Sequence, residues 1–218
     1  MKVSLVIPTR NEAKSLGRTI QEIPAGFVDE IIVSDGHSTD GTLETAKGLG
    51  CQAITQEGRG FGLGIISGIK HCTGDIIIIM DADGSQNPAD IPRLIEKIKE
   101  GYDIGWGSRY VQKKKTADDT WLRYFGNQFF TFLTRILHGV KTADILYMFA
   151  AFKKEVFEKV SLRSPGFEFC IELPVKAHKA GFKFGEVPCV ERKRLADETK
   201  VNDLLDGWKI LSAILKRY

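Results

Sequence analysis

GDIIIIMDADGSQNP, residues 74–88, sets four isoleucines and a methionine directly before two aspartates one residue apart. An unbroken apolar run fenced by Gly-Asp and Asp-Gly predicts a central strand buried on both faces. Asp81 and Asp83 then stand at the carboxyl end of that strand, where open α/β sheets place their ligand crevice. Neighbouring carboxylates repel unless a cation lies between them. The sharp reading of this pair is therefore a divalent metal site, and the plain one is a polar turn closing a strand. A calcium loop of the EF-hand type is excluded, because it needs Gly at its sixth position and Glu at its twelfth. Here Gly84 is fourth and Pro92 is twelfth.

On either side of this stretch the chain alternates. VSLVIP (3–8), DEIIVSD (29–35), CQAIT (51–55), DIIIIM (75–80) and YDIGWG (102–107) have strand character. Between them, NEAKSLGRTIQEI, DGTLETAKGLG, GFGLGIISGIKHC and PADIPRLIEKIKEG have helical character. This predicts βαβ units and an α/β fold, a mostly parallel central sheet flanked by helices. Asp40 is expected to cap the second helix and Gly48 or Gly50 to end it.

The texture changes after Tyr110. VQKKKTADDT has no apolar periodicity and is expected to form a loop, either a linker or a lid. WLRYFGNQFFTFLTRILHG follows as a helix with Phe125, Phe129, Phe132, Leu133 and Ile136 on one face and Phe130 and Leu137 widening it. Two more strands (LYMFAAF and KFGEVPCVERKR) flank a helix around FEFCIELPVKAHKAG. The last helix carries a stripe of Val201, Leu204, Leu205, Trp208, Leu211 and Leu215, expected to pack in the core. No repeat or linker divides the chain, so one domain is expected over residues 1–218.

Composition narrows the class. Of 218 residues, 43% are hydrophobic and 27% charged, the balance of an ordinary globular chain. Cys51, Cys72, Cys170 and Cys189 are scattered and not at zinc spacing, which predicts reduced thiols and a cytosolic compartment. MKVSLVIPTRNE lacks a signal-peptide core, and no segment approaches the ~20 apolar residues of a membrane span. Residues 1–110 carry 11 basic and 15 acidic side chains, and residues 111–218 carry 20 and 13. An acidic half holding a metal and a basic half facing an anion fits this division. No helix-turn-helix, zinc-finger or RNA-recognition pattern accompanies the basic half, so nucleic acid is not an expected partner.

Three strand ends carry polar groups: IPTRNE, VSDGHSTDGT and MDADGS. Parallel strands bring all three to one edge of the sheet. Pro8 turns the chain outward so that Arg10 and Glu12 face the crevice, and Asp35 can accept hydrogen bonds from a base or ribose. Asp81 and Asp83 would hold Mg²⁺ or Mn²⁺ and leave the remaining positions to phosphate oxygens and water. That is a nucleotide-diphosphate site without a Gly-rich phosphate loop.

VIPTRNE, IIVSDGHSTDGT, GDIIIIMDADGSQNP and GYDIGWGSRY resemble the family 2 glycosyltransferases of the GT-A fold. RYFGNQFF, PGFEFCIEL, KAGFKFGEVP and RLADETKV are similar to the dolichyl- and polyprenyl-phosphate sugar synthases within it. The resemblance implies transfer of a hexosyl group from GDP-mannose or a UDP-sugar to a polyprenyl or dolichyl phosphate, with Mg²⁺ or Mn²⁺. It implies that residues 1–110 bind the donor through Pro8, Arg10, Glu12, Val33, Asp35, Met80, Asp81, Ala82 and Asp83, and that 111–218 bind the acceptor. Arg109 matches an arginine near the transferred group, and Arg123 and Asn127 match contacts to the acceptor phosphate. Arg194 and Lys200 match a basic pair that closes on the phosphates. Asp83, Arg109, Arg123 and Arg194 are thus the expected catalytic residues. Where the family often has Gln as third metal ligand this chain has Ser85, with Gln86 next to it; Arg10 stands where an aromatic residue is common. Asp197 and Thr199 replace a Gly and a Ser in the family's basic motif.

A lipid phosphate is already an anion and needs a cationic seat rather than a base. The Phe-rich helix, preceded by Lys113–Lys115, has the make-up of an interfacial helix, so a peripheral site on the cytoplasmic membrane face is expected. The rival is a family 2 enzyme with a hydroxyl acceptor, in which Glu168 or Glu172, spaced i,i+4, serves as base. A sugar-phosphate nucleotidyltransferase is disfavoured because its Gly-rich loop is replaced by PTRNEAKS. A non-catalytic module that binds nucleotide sugar or lipid is the remaining alternative.

Overall fold

The computed structural model describes residues 1–111, 121–196, 203–216 and 218. The expected loop Lys113–Lys115, and Asp197, Thr199, Lys200 and Val201, lie outside the described residues, as does the side chain of Leu204. The elements run β1 (Val3–Thr9), α1 (Ala13–Gln21), β2 (Glu30–Asp35), α2 (Thr42–Gly48), β3 (Gln52–Thr55), α3 (Phe61–Ile69) and β4 (Ile76–Ile79). A single 3₁₀ turn, Pro88–Asp90, leads into α4 (Ile91–Lys99), then β5 (Ile104–Ser108), α5 (Trp121–His138), β6 (Ala150–Lys153) and α6 (Lys154–Lys159). α7 (Phe169–Lys179), β7 (Phe184–Pro188) and α8 (Asp203–Leu215) follow.

Among the described residues these strands make one sheet in the order β3-β2-β1-β4-β6-β5-β7. β1 pairs in parallel with both β2 and β4, while β6 runs antiparallel between β4 and β5. The chain thus winds outward from β1 to β3, then returns to the other side of β1. The switch point falls between the carboxyl ends of β1 and β4, where Asp81 and Asp83 follow the strand.

The four isoleucines of β4 are wholly buried because the sheet is covered on both faces. Ile76 and Ile78 join Leu5, Ile7, Val33, Leu16, Leu94 and Ile95 on the side of α1 and α4. Ile79 packs with Trp106, Phe152, Phe169 and Leu173 on the side of α7. Alternate residues of one strand serve two cores, which is why the run is continuously apolar. A smaller cluster joins α5, α7 and α8 through Ile145, Ile171, Val175, Ile210 and Ile214.

Several expectations need correction. The N-cap of α2 is Gly41, and Asp40 instead accepts the N–H groups of Thr42 (3.1 Å) and Ala13 (3.0 Å), serving the starts of two helices. Gly50, with φ of 78°, follows the end of α2 as foreseen. β7 stops at Pro188, and residues 189–196 cross the carboxyl edge of the sheet as an irregular strap. The stripe of α8 is not core: Leu205, Trp208 and Leu215 are exposed, and Ile210, Ala213 and Ile214 are its buried face. On α5, Phe130 and Leu133 pack inward, while Trp121, Phe125, Phe129, Phe132 and Ile136 are each more than half exposed.

Candidate active site

The loops after β1 and β2 are stitched together before they meet any ligand. Asn11 adopts φ of 53°, a left-handed conformation that Asn tolerates better than most residues. Its N–H donates to Ser38 Oγ (2.7 Å), and its Oδ1 accepts the N–H of Thr39 (2.8 Å). Below these loops opens a cavity of about 370 Å³. Pro8, Arg10 and Glu12 line it from the β1 end, Gly36 and Gln56 from the ends of β2 and β3, and Asp81, Ala82 and Asp83 from β4. The second half of the chain supplies the facing wall through Gly166, Phe167, Arg194, Asp206 and Lys209.

The Asp-x-Asp loop is held from behind. Gln86 Oε1 accepts the Asp81 N–H and its Nε2 donates to Asp81 Oδ2, both at 2.9 Å, which fixes the carboxylate. The Ser85 N–H donates to Asp83 Oδ1 (2.9 Å). The strap closes over the loop: the N–H groups of Arg192 and Leu195 donate to the carbonyls of Ser85 (2.7 Å) and Asp83 (2.9 Å). Gly84 sits beneath it with φ of 77°, where a Cβ would fall 2.4 Å from Leu195 Cδ1. Arg192 also bonds Glu22 (2.8 Å), and Arg194 Nη1 lies 2.5 Å from Asp83 Oδ2.

Burial, reinforced by the charge of Asp83, pushes the Asp81 carboxyl up to about 8, and Arg194 pulls the other way. Two carboxylates crowded in this manner suit a hard divalent cation. Among the described residues no cluster of three His, Cys, Asp or Glu exists that could hold a metal alone. A pair is the donor set expected where phosphate oxygens and water complete the shell, as is common for Mg²⁺. Ser85, expected as the third ligand, is buried and off the cavity wall; its N–H goes to Asp83 and its carbonyl accepts from Arg192.

Arg109 also departs from expectation. Its Nε and Nη2 clasp Asp144 at 2.7 and 3.0 Å, and Nη1 reaches Glu191 at 3.0 Å. The guanidinium lies between the rings of Tyr110 and Tyr147, 5.0 and 4.9 Å from their centroids. Burial would lower its pKa, but Asp144 and Glu191 outweigh that and hold it well above the ordinary value. Asn127, expected at the acceptor phosphate, is buried and donates to the same Asp144 (3.0 Å). Arg123 lies on the first turn of α5, half-buried and away from the cavity wall.

Among the other expected residues, Pro8, Arg10, Glu12, Asp81, Ala82, Asp83 and Arg194 share the cavity. Val33 and Met80 are wholly buried in the core beneath it. Asp35 is buried, and its carboxylate accepts Thr9 Oγ1 (3.2 Å), the Ser38 N–H (2.9 Å) and Ser38 Oγ (2.5 Å). Glu172 is likewise committed, accepting the N–H groups of Arg163 (3.0 Å) and Ser164 (2.7 Å) and pairing with Lys176 (2.6 Å). Glu168 Oε1 accepts the Gly166 N–H (3.1 Å), while its Oε2 is buried without a partner. Gln56, Arg59, Phe61, Asp206 and Lys209 line the cavity without having been singled out in the sequence. Phe61 and Phe167 form a stacked pair there, 4.9 Å between centroids.

A GT-A architecture with its crevice at the switch point and paired aspartates on the crevice wall defines the class of protein. Residues 4–161 match glycosyl transferase family 2, and the chain belongs to that family. Glycosyltransferase AglJ of Haloferax volcanii is 30% identical over 99% of this chain and 71% of its own. Dolichol-phosphate mannosyltransferase of Pyrococcus furiosus is 35% identical over 92% of this chain, which spans only 59% of that longer protein. The fold matches the crystal structure of glucosyl-3-phosphoglycerate synthase from Mycobacterium tuberculosis in complex with Mn²⁺, UDP and glucosyl-3-phosphoglycerate. There the TM-score is 0.80 at 21% identity, covering 98% of this chain and 78% of that one.

Proposed function

We propose that this glycosyltransferase moves a hexosyl group from a nucleotide-diphosphate sugar to a polyprenyl or dolichyl phosphate. The observation that carries the donor half is the shared cavity of Asp81, Asp83 and Arg194 at the switch point. Asp81 and Asp83 would hold Mg²⁺ or Mn²⁺, which supplies charge for the departing β-phosphate. Arg194, already 2.5 Å from Asp83, stands where it can turn to that phosphate. Donor binding draws mainly on residues 1–110, with Arg194 and Lys200 of the basic half assigned to the donor phosphates, and acceptor binding draws on 111–218 through Arg123. Arg109 and Asn127 act as positioning residues through Asp144.

The engagement of Glu172 and the exposed aromatic faces of α5 and α8 support a lipid-phosphate acceptor. A lipid phosphate oxygen attacks the anomeric carbon, the bond to the β-phosphate breaks, and no proton need be removed, so inversion results from one displacement. Glu172, a carboxylate that would serve a hydroxyl acceptor, is bound to two backbone N–H groups and a lysine. The exposed aromatic face of α5 and Trp208 of α8 support peripheral docking on the cytoplasmic membrane face. Among the described residues no helix is long and apolar enough to cross a membrane.

The second reading, a hydroxyl acceptor on a soluble molecule, rests on Glu168 Oε2, buried and without a partner beside the cavity wall. Transfer of labelled sugar separates the two. Incubation of the protein and Mn²⁺ with GDP- and UDP-sugars should label polyprenyl phosphate in vesicles. Label appearing only in soluble hydroxyl acceptors, and lost in Glu168→Gln, transfers the assignment to the second reading.

A further inference from the structure

At the far end of the cavity from Asp81, the chain leaves β3 through Gln56, whose N–H donates to the Asp35 carbonyl (2.9 Å). This side chain is 6% exposed, yet it lines the cavity. Its Nε2 donates to the carbonyls of Gly58 and Gly60, both at 3.2 Å, which ties the 56–60 turn together. Those two acceptors also settle the orientation of the amide: Nε2 must face them, so Oε1 must face away. Oε1 is set between two glycines, 3.2 Å from where a Cβ of Gly36 would stand and 2.7 Å from one on Gly64. Side chains at either position would fill the space that the carbonyl occupies. Gln56 lines the cavity, and no hydrogen bond from the described residues reaches its Oε1.

Asp35 is less suited to this role: it is buried, does not line the cavity and already accepts from Thr9 and Ser38. We propose that Gln56 reads the nucleobase of the donor, its side-chain carbonyl accepting the ring N–H of uracil or guanine. This deepens the reading of the cavity as a nucleotide site and rests on it. Uracil N3 and guanine N1 carry a hydrogen and are acidic, strong donors, whereas cytosine N3 and adenine N1 present lone pairs. Opposed to Oε1, a lone pair leaves two buried acceptors facing each other. The amide cannot flip to accommodate them without abandoning Gly58 and Gly60. Specificity at this end of the cavity is thus written into one rigid acceptor rather than into a charged group.

The test is calorimetric titration of the protein with UDP, GDP, CDP and ADP in the presence of Mn²⁺, followed by N3-methyl-UDP or N1-methyl-GDP. UDP or GDP should bind at least about tenfold more tightly than both ADP and CDP, and methylating the ring nitrogen should cost at least about tenfold. In Gln56→Met the methylation penalty should shrink below about threefold. If the Met variant does not fold, the parent protein's methylation penalty and its ranking of the four diphosphates carry the test. Tightest binding by ADP or CDP overturns the assignment. So does a methylation penalty that is absent, or that is equal in the parent and Gln56→Met. Failure of every nucleoside diphosphate to bind overturns the nucleotide reading itself, a distinct result.

Discussion

Asp144→Ala should be among the most damaging single substitutions in the molecule. Asp144 is wholly buried and accepts four hydrogen bonds, three from Arg109 at 2.7, 3.0 and 3.2 Å and one from Asn127 at 3.0 Å. Removing it leaves a nearly buried guanidinium with Glu191 as its remaining carboxylate. Breaking one side of a buried pair costs about 3–5 kcal/mol. The stacking on Tyr110 and Tyr147 survives, so the lower part of that range, about 3–4 kcal/mol, is expected. With a urea m-value of about 2–3 kcal/mol/M, the unfolding midpoint should fall by roughly 1–2 M. Arg109→Met should cost a comparable amount, because it strands Asp144. The double variant should be less destabilised than the two single losses combined, with a coupling of about 2–3 kcal/mol. Additive effects, with coupling below about 0.5 kcal/mol, would refute the reasoning and return Arg109 to the phosphates.

Three further outcomes follow from the same geometry. Glu172→Gln should lose about 1–3 kcal/mol of stability in urea melts while turnover changes little; a hundredfold drop in kcat with donor binding intact would make it a base after all. Glu30 is half-buried, and desolvation alone would raise its pKa, but hydrogen bonds from Ser4, Thr73 and Lys2 bring it down to about 2. Its contribution is therefore present above the unfolded value near 4.5 and lost as pH falls towards 2. Glu30→Gln should be less stable than the parent by about 2–3 kcal/mol at pH 6, with the gap closing between those two values, and a constant gap contradicts the assignment. In flotation with anionic vesicles, Phe129→Glu and Trp208→Glu should each cut recovery in the lipid fraction severalfold; recovery equal to the parent protein's rules out α5 and α8 as the docking face.

β4 was legible because a strand buried on both faces has no choice but to be apolar throughout. The position of Asp81 and Asp83 followed from it. The order of the sheet was not legible: nothing local to Ala150–Lys153 shows that β6 inserts antiparallel between β4 and β5. VPCVERKR has strand composition, yet past Pro188 the Arg192 and Leu195 N–H groups go to the carbonyls of Ser85 and Asp83 rather than to a neighbouring strand. Periodicity identified the apolar stripe of α8 but not whether anything covers it, so Trp208 was assigned to a core it does not enter. Asp35 was correctly placed at a strand tip, but Ser38, three residues on, decides where its carboxylate points. Gln56 carries no motif at all. Only the two carbonyls that fix its amide, and the two glycines beside it, reveal what it offers.

Mn²⁺ binding followed by electron paramagnetic resonance tests the role of Asp81 and Asp83 most directly. With a nucleoside diphosphate present, the protein should deplete the six-line signal of free Mn²⁺. Asp83→Asn should leave that signal at the level of Mn²⁺ and nucleotide alone, with thermal stability preserved. An Asp83→Asn protein that still removes Mn²⁺ with parental affinity would contradict the placement of the cation, and with it the proposed chemistry.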